Sequence, residues 1–166
     1  MKMKKFALLL ISVLTFVSCD TDDDGLNIAY ELAEITGHNL PEFIEPGEDY
    51  EIDVTYELPD ACHTFAGFDQ AGAEDEDDED IFVYYIHAIT SYDPNLTECD
   101  EEGELTETKR ARENFNVSSS SQYTTIQFKL LTGVSSTNER EYITVDVPVG
   151  APDDSEEEGT GDESSN

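Results

Sequence analysis

Basic residues are scarce in this chain: 8 Lys and Arg stand against 40 Asp and Glu, for a formal net charge of −32. Such a surface repels phosphate backbones and excludes a nucleic-acid binder. Long apolar runs are missing as well. Nothing approaches the ~20 consecutive apolar residues that a membrane-spanning helix needs. The short motifs of catalysis are also absent. There is no HExxH pair, no GxSxG elbow around the serines at 118–121, and no long amphipathic helix. The three histidines, His38, His63 and His87, stand alone in the sequence. His87 lies in an apolar run and reads as a satisfied core residue. The Asp and Glu residues are too many for any one pair to stand out as a glycosidase dyad. No catalytic residue and no cofactor is therefore expected. Tryptophan is absent, which removes the hallmark of antibody domains.

What the chain has begins with an address. Lys2, Lys4 and Lys5 precede an uncharged, mostly apolar run of 12 residues, 6–17, and then Ser18 meets Cys19. That run has the length of a signal-peptide h-region and is too short to span a bilayer. With the small residue before the cysteine, residues 1–18 resemble a bacterial lipoprotein signal peptide. Phe16 stands where the usual box has Leu, a looseness that resembles Bacteroidota lipoproteins. The acidic run Asp20-Thr21-Asp22-Asp23-Asp24 fits the same group, where it directs export to the cell surface. The resemblance implies that the Cys19 thiol is acylated, with palmitate among its chains, and that the protein sits on the outer membrane facing outward. Each buried CH₂ of such an anchor adds ~0.8 kcal/mol.

Loss of the signal would remove three lysines and leave five basic residues (Lys109, Arg110, Arg112, Lys129, Arg140) against 40 acidic ones, a charge of −35. A surface of this sign repels anionic headgroups, so the lipid must do the membrane work. It favours cations and basic partners, and in a salty medium screening over about 8 Å makes it tolerable. Residues 19–27 then form a lipidated acidic tether. Residues 150–166 carry almost nothing apolar and read as a disordered acidic tail. One domain remains, residues 28–149.

Its clearest signal is at 50–58, where Tyr50, Ile52, Val54, Tyr56 and Leu58 alternate with polar residues. Period two over nine residues marks a half-buried strand with the apolar set inward. Residues 62–70 read as another strand. Residues 81–89 (IFVYYIHAI) are apolar on both parities, the mark of a strand buried on both faces and central in its sheet. Ile126, Phe128 and Leu130 define a further half-buried strand. Ile143, Val145, Val147 and Val149 define the last, with Pro148 suggesting a sheet edge. Residues 28–36 fit strand or short helix, and 105–117 (with TETKRAREN) fit helix or strand. Pro41 and Pro46-Gly47 punctuate the segment between the first two elements.

About seven strands with turns between them predict an all-β fold, an antiparallel immunoglobulin-like β-sandwich. From about residue 50 to 149, PDACHTFAGFD, the later Cys99 and the closing IQFKLLTG and YITVDVPV are similar to a set of small flavobacterial lipoproteins. No activity comes with that resemblance.

Cys62 and Cys99 are an even pair once Cys19 is lipidated, which in an exported protein predicts a disulfide. If 62–70 and 81–89 form a hairpin, Cys62 begins it and Cys99 lies just beyond its end. The acidic run 74–80 reads as the solvated hairpin tip. Its Asp75, Asp77, Asp78 and Asp80 are the candidate Ca²⁺ ligands, though the Gly and the spacing of an EF-hand loop are missing. Tyr84, Tyr85 and Tyr92 are candidates for core positions or for an aromatic platform under a sugar. The expected function is a cell-surface, lipid-anchored, non-catalytic binding or structural module. A glycan-acting enzyme and a protein-binding adhesin or inhibitor are the alternatives.

Overall fold

Residues 27–96, 98–99 and 105–151 are described by the structure, a computed structural model. The signal peptide, Cys19, nearly all of the tether and the tail from 152 onward lie outside the described residues. Within them the chain is all-β, with seven strands: β1 (Ala29–His38), β2 (Asp49–Glu57), β3 (Thr64–Glu74), β4 (Ile81–Tyr92), β5 (Thr106–Asn116), β6 (Thr125–Val134) and β7 (Arg140–Pro148).

The strands form two layers joined through β1. Its first half pairs with β4, Ala29 opposite Tyr92 through Ala33 opposite Ala88. Its second half pairs with β2, Glu34 opposite Glu57 and Ile35 opposite Tyr56. One layer is therefore β1-β2-β5 and the other β3-β4-β6-β7, with β1 passing between them. The ladder does not close on itself into a barrel, and the architecture is that of a sandwich.

β4 is the central strand, as its two-sided apolar pattern predicts. β3 covers one edge from end to end, Thr64 opposite Ser91 through Glu74 opposite Phe82. The other edge is shared by β6, from Ile81 to Ile86, and by β1, from Ala88 to Tyr92. The β4–β6 pairing is parallel, which corrects the expectation of an all-antiparallel fold. Between them the chain reverses into β5 in the other layer and reverses again, so it returns in its original direction.

β5 resolves the ambiguity at 105–117 as strand. Its charged residues have good helix propensity, but Glu107, Lys109 and Arg110 find partners across or along the β2–β5 ladder instead. Arg110 reaches Glu51 at 2.7 Å and Asp53 at 2.8 Å, and the Thr55 and Thr108 hydroxyls meet at 2.7 Å. Cross-strand pairs of this kind are what stabilise a sheet, and here they override local preference.

The inner faces form one core. Ile52, Val54, Tyr56 and Leu58 are buried, as are Ile126, Phe128, Leu130 and Val147, while Tyr50 and Val145 pack against them half-buried. Ile143 departs from the expectation at 46 % exposed. It keeps the parity of Val145 and Val147, but β7 is the outermost strand and its start runs past the cover. Ile44 is the reverse case, fully buried although it sits in the loop between β1 and β2. Its N–H donates to the Pro148 carbonyl at 2.9 Å, and its carbonyl accepts from Gly150 N–H at 2.8 Å. Gly47, at φ +93°, makes the turn that returns this loop to β2.

Candidate functional site

Cys62 and Cys99 are bridged, with Cα atoms 5.2 Å apart. Asp60 completes a three-residue group with them, but the bridge occupies both sulfurs and leaves no thiolate to bind a metal. One residue on, His63 is buried between two carboxylates. Its Nδ1 is 2.6 Å from Asp60, its Nε2 is 3.2 Å from Glu31, and its ring lies 4.5 Å from that of Tyr92. The hydrogen bond from His63 holds the Asp60 carboxyl below the usual carboxylate range. A neutral imidazole has one N–H and serves one carboxylate, whereas the cationic ring serves both.

His87 is buried and satisfied, on the face of its sheet opposite the main core. Its Nδ1 is 3.3 Å from Asp69 and its Nε2 3.0 Å from the Tyr142 hydroxyl. Tyr85 meets Tyr142 edge-on at 5.5 Å, and the Lys129 ammonium lies 5.6 Å from the Tyr85 ring centre. This polar chain fastens β3, β4 and β7 to one another on the outer surface.

The acidic run closes the β3–β4 hairpin as its tip. Asp75 Oδ1 accepts the backbone N–H groups of Asp77 (3.0 Å) and Asp78 (3.1 Å), and Asp78 Oδ1 accepts that of Asp80 (3.0 Å). These carboxylates cap their own turn. Among the described residues Asp75, Asp77, Asp78 and Asp80 do not bring three ligand atoms to one point. The shallow hollow beside them also contains the Lys129 ammonium, which competes with any cation. Two melts at equal ionic strength, one in NaCl and one with millimolar CaCl₂, should therefore coincide. Raising salt from low ionic strength should itself increase Tm, because self-repulsion is screened. A Ca²⁺-specific rise that vanishes when the four Asp are changed to Asn would show that the tip is a calcium site.

A concavity lies at the mouth between the two layers. It measures about 430 Å³, within the ~300–1,000 Å³ of small-ligand sites. β4 contributes Phe82 and Tyr84, the end of β5 contributes Arg112, Asn114, Phe115 and Asn116, and Tyr123 closes it from the loop before β6. The rings are tilted against one another, Phe82 and Tyr123 at 5.1 Å and 46°, Tyr84 and Phe115 at 5.2 Å and 71°. Phe82 lies across Gly72 of β3, where a Cβ would stand 2.5 Å from its Cζ. The Tyr123 hydroxyl donates to Glu74 at 3.0 Å, and that bond raises its pKa. Burial raises the Tyr84 pKa, and the nearby Arg112 charge partly offsets the rise.

Two irregularities of β5 build the polar side of this cleft. Asp53 pairs with Arg110 and Ile52 with Arg112, then Tyr50 with Phe115, so β5 carries an extra residue at each step. Bulges re-aim side chains and locally increase twist. Here Arg112, Asn114 and Asn116 reach the same cleft as Phe115, which a regular strand would turn to the opposite face. Lys109 and Arg110 engage Glu107, Glu51 and Asp53. Arg112 forms no ion pair among the described residues.

No family model, no curated protein and no solved structure matches this chain. The three tyrosines singled out as a platform are dispersed. Tyr84 lines the cleft, Tyr85 faces the other side of the sheet, and Tyr92 covers His63. Arg112, Phe115 and Tyr123 are not legible as a group, because a bulge in β5 leaves no periodic trace and Tyr123 comes from the loop before β6.

Proposed function

We propose that this chain is an exported, lipid-anchored binding module, with acylated Cys19 as its membrane attachment and the inter-layer cleft as its ligand site. The cleft carries the binding reading: four aromatic rings and a guanidinium with no ion pair among the described residues converge at one open mouth. The Cys62–Cys99 bridge supports export, since disulfides persist in oxidising compartments. Buried His63 and His87 are each engaged by carboxylate or phenol groups, which favours binding over catalysis.

Mass spectrometry of membrane fractions from cells expressing the full chain should find an N-terminal Cys19 with its acyl chains. Recovery of intact Met1, or of Cys19→Ala protein still in the membrane, would overturn the anchor.

A further inference from the structure

We infer that the cleft between the layers recognises an anionic saccharide, a sugar ring carrying a carboxylate or a sulfate ester. This rests on the binding-module reading and assigns the ligand class of that same cleft. Three observations converge on it.

The first is the floor. Phe82, Tyr84, Phe115 and Tyr123 present ring surfaces inclined to one another by 46° and 71° within each pair. A faceted apolar floor fits the puckered CH face of a sugar better than a flat ring, which would prefer a parallel slot. The placement of Phe82 depends on Gly72, since any side chain there would collide with the ring. The floor therefore depends on β3 as well as on the elements that carry its rings.

The second is the rim. Asn114 and Asn116 line the mouth, with the Asn116 amide held by the Glu48 carbonyl at 2.8 Å. The Tyr84 and Tyr123 hydroxyls belong to the same lining. Amides and hydroxyls beside an apolar floor match a polyhydroxylated ligand. An aryl acid would turn an apolar edge toward them and leave them without partners.

The third is the charge. In a chain with 40 acidic residues, Arg112 makes no ion pair among the described residues, although its neighbours Lys109 and Arg110 do. A guanidinium binds carboxylate or sulfate with two parallel hydrogen bonds. The net negative field opposes any anion at a distance, but at ~0.15 M salt it fades over about 8 Å. At contact, Arg112 dominates.

The test is a titration of the full lipidated chain in nanodiscs of neutral lipid, read by tyrosine fluorescence and by calorimetry in 0.15 M salt. The probes are a tri-uronate, a sulfated trisaccharide, a neutral trisaccharide of the same linkage, and phenylacetate. The expected result is saturable binding of an anionic trisaccharide, at least tenfold tighter than the neutral one. The uronate and sulfate arms identify which anion is preferred. Arg112→Gln should remove that tenfold preference, with Tm close to wild type because residue 112 is exposed. Gly72→Ala, which displaces Phe82 without touching the polar rim, should weaken all sugars alike. If phenylacetate binds and no sugar does, the saccharide assignment is overturned while the cleft remains a binding site. If no probe changes the tyrosine signal, both the ligand class and the cleft fall. An anionic preference that survives Arg112→Gln would likewise overturn the assignment.

Discussion

Phe128→Ala should destabilise the fold by about 3–5 kcal/mol, the usual cost of emptying a buried aromatic site. The ring is fully buried, 5.2 Å from Phe115 and 5.8 Å from Tyr84, at the point where the two layers meet. It is held by both layers, so the surroundings can collapse only in part around the space it leaves. A loss of this size is a large share of the ~5–15 kcal/mol that typically separates folded from unfolded protein. Urea unfolding should show a lower midpoint at an unchanged slope. Ile143→Ala is the internal comparison. It removes a β-branched side chain from a strand of the same sheet, but from an exposed position, and should stay within about 0.5 kcal/mol of wild type. If the two variants melt alike, the inward face of β6 has been misassigned.

Removing the bridge should have an effect of similar size by a different route. Cys62 and Cys99 are separated by 37 residues, and closing a loop of that length in the unfolded chain is worth about 4 kcal/mol in the chain-entropy account. The Cys62→Ser/Cys99→Ser double variant should melt on the order of 10–20 °C lower. Adding reductant to the wild type should move its melting toward the same point and leave the double variant unmoved. Wild-type melting that is indifferent to reductant at every temperature would mean that the bridge contributes nothing to stability. The loop it closes contains the whole β3–β4 hairpin, so the loss should fall on the layer that contains β4.

Where a strand obeys a simple alternation under one cover, it can be read from residues alone. Ile52, Val54 and Tyr56 announce β2 because each second residue meets the same core. The double parity of β4 announces burial on both faces, and His87 shows what occupies the second face: a histidine tied to Asp69 and Tyr142. The pattern fails where the fold interrupts it. β5 hides behind charged residues whose partners lie on β2, a chain segment some 50–60 residues away in the pairing of Asp53 with Arg110. Ile44 is a loop residue whose burial depends on the distant end of β7. Ile143 follows the inward parity but outruns the layer that would cover it. The candidate site suffered most. Its aromatic half follows the parity of Phe82 and Tyr84, but Phe115 joins Arg112 and Asn114 there through an extra residue in β5. A bulge is a departure from periodicity, so periodicity cannot find it.

The position of β4 has a consequence for how the chain reaches its native state. Its first partner, β3, is a hairpin neighbour and is present as soon as both have been synthesised. On its other edge β1 pairs with Ala88–Tyr92, but the Ile81–Ile86 half waits for β6, whose Thr125 meets Ile81, and β5 must first be laid down in the opposite layer. Such non-local pairing places folding among the slow topologies, in the millisecond-to-second range. Through that interval the most apolar strand of the molecule presents an unpaired backbone, the feature by which partly folded chains recruit one another. The acidic tip adjoining β4 carries dense negative charge through the same interval, before any tertiary structure exists to need it. Like charges on two such intermediates repel while the strands themselves would attract. Charge at the tip thus opposes association of neighbouring copies while that edge of β4 is open.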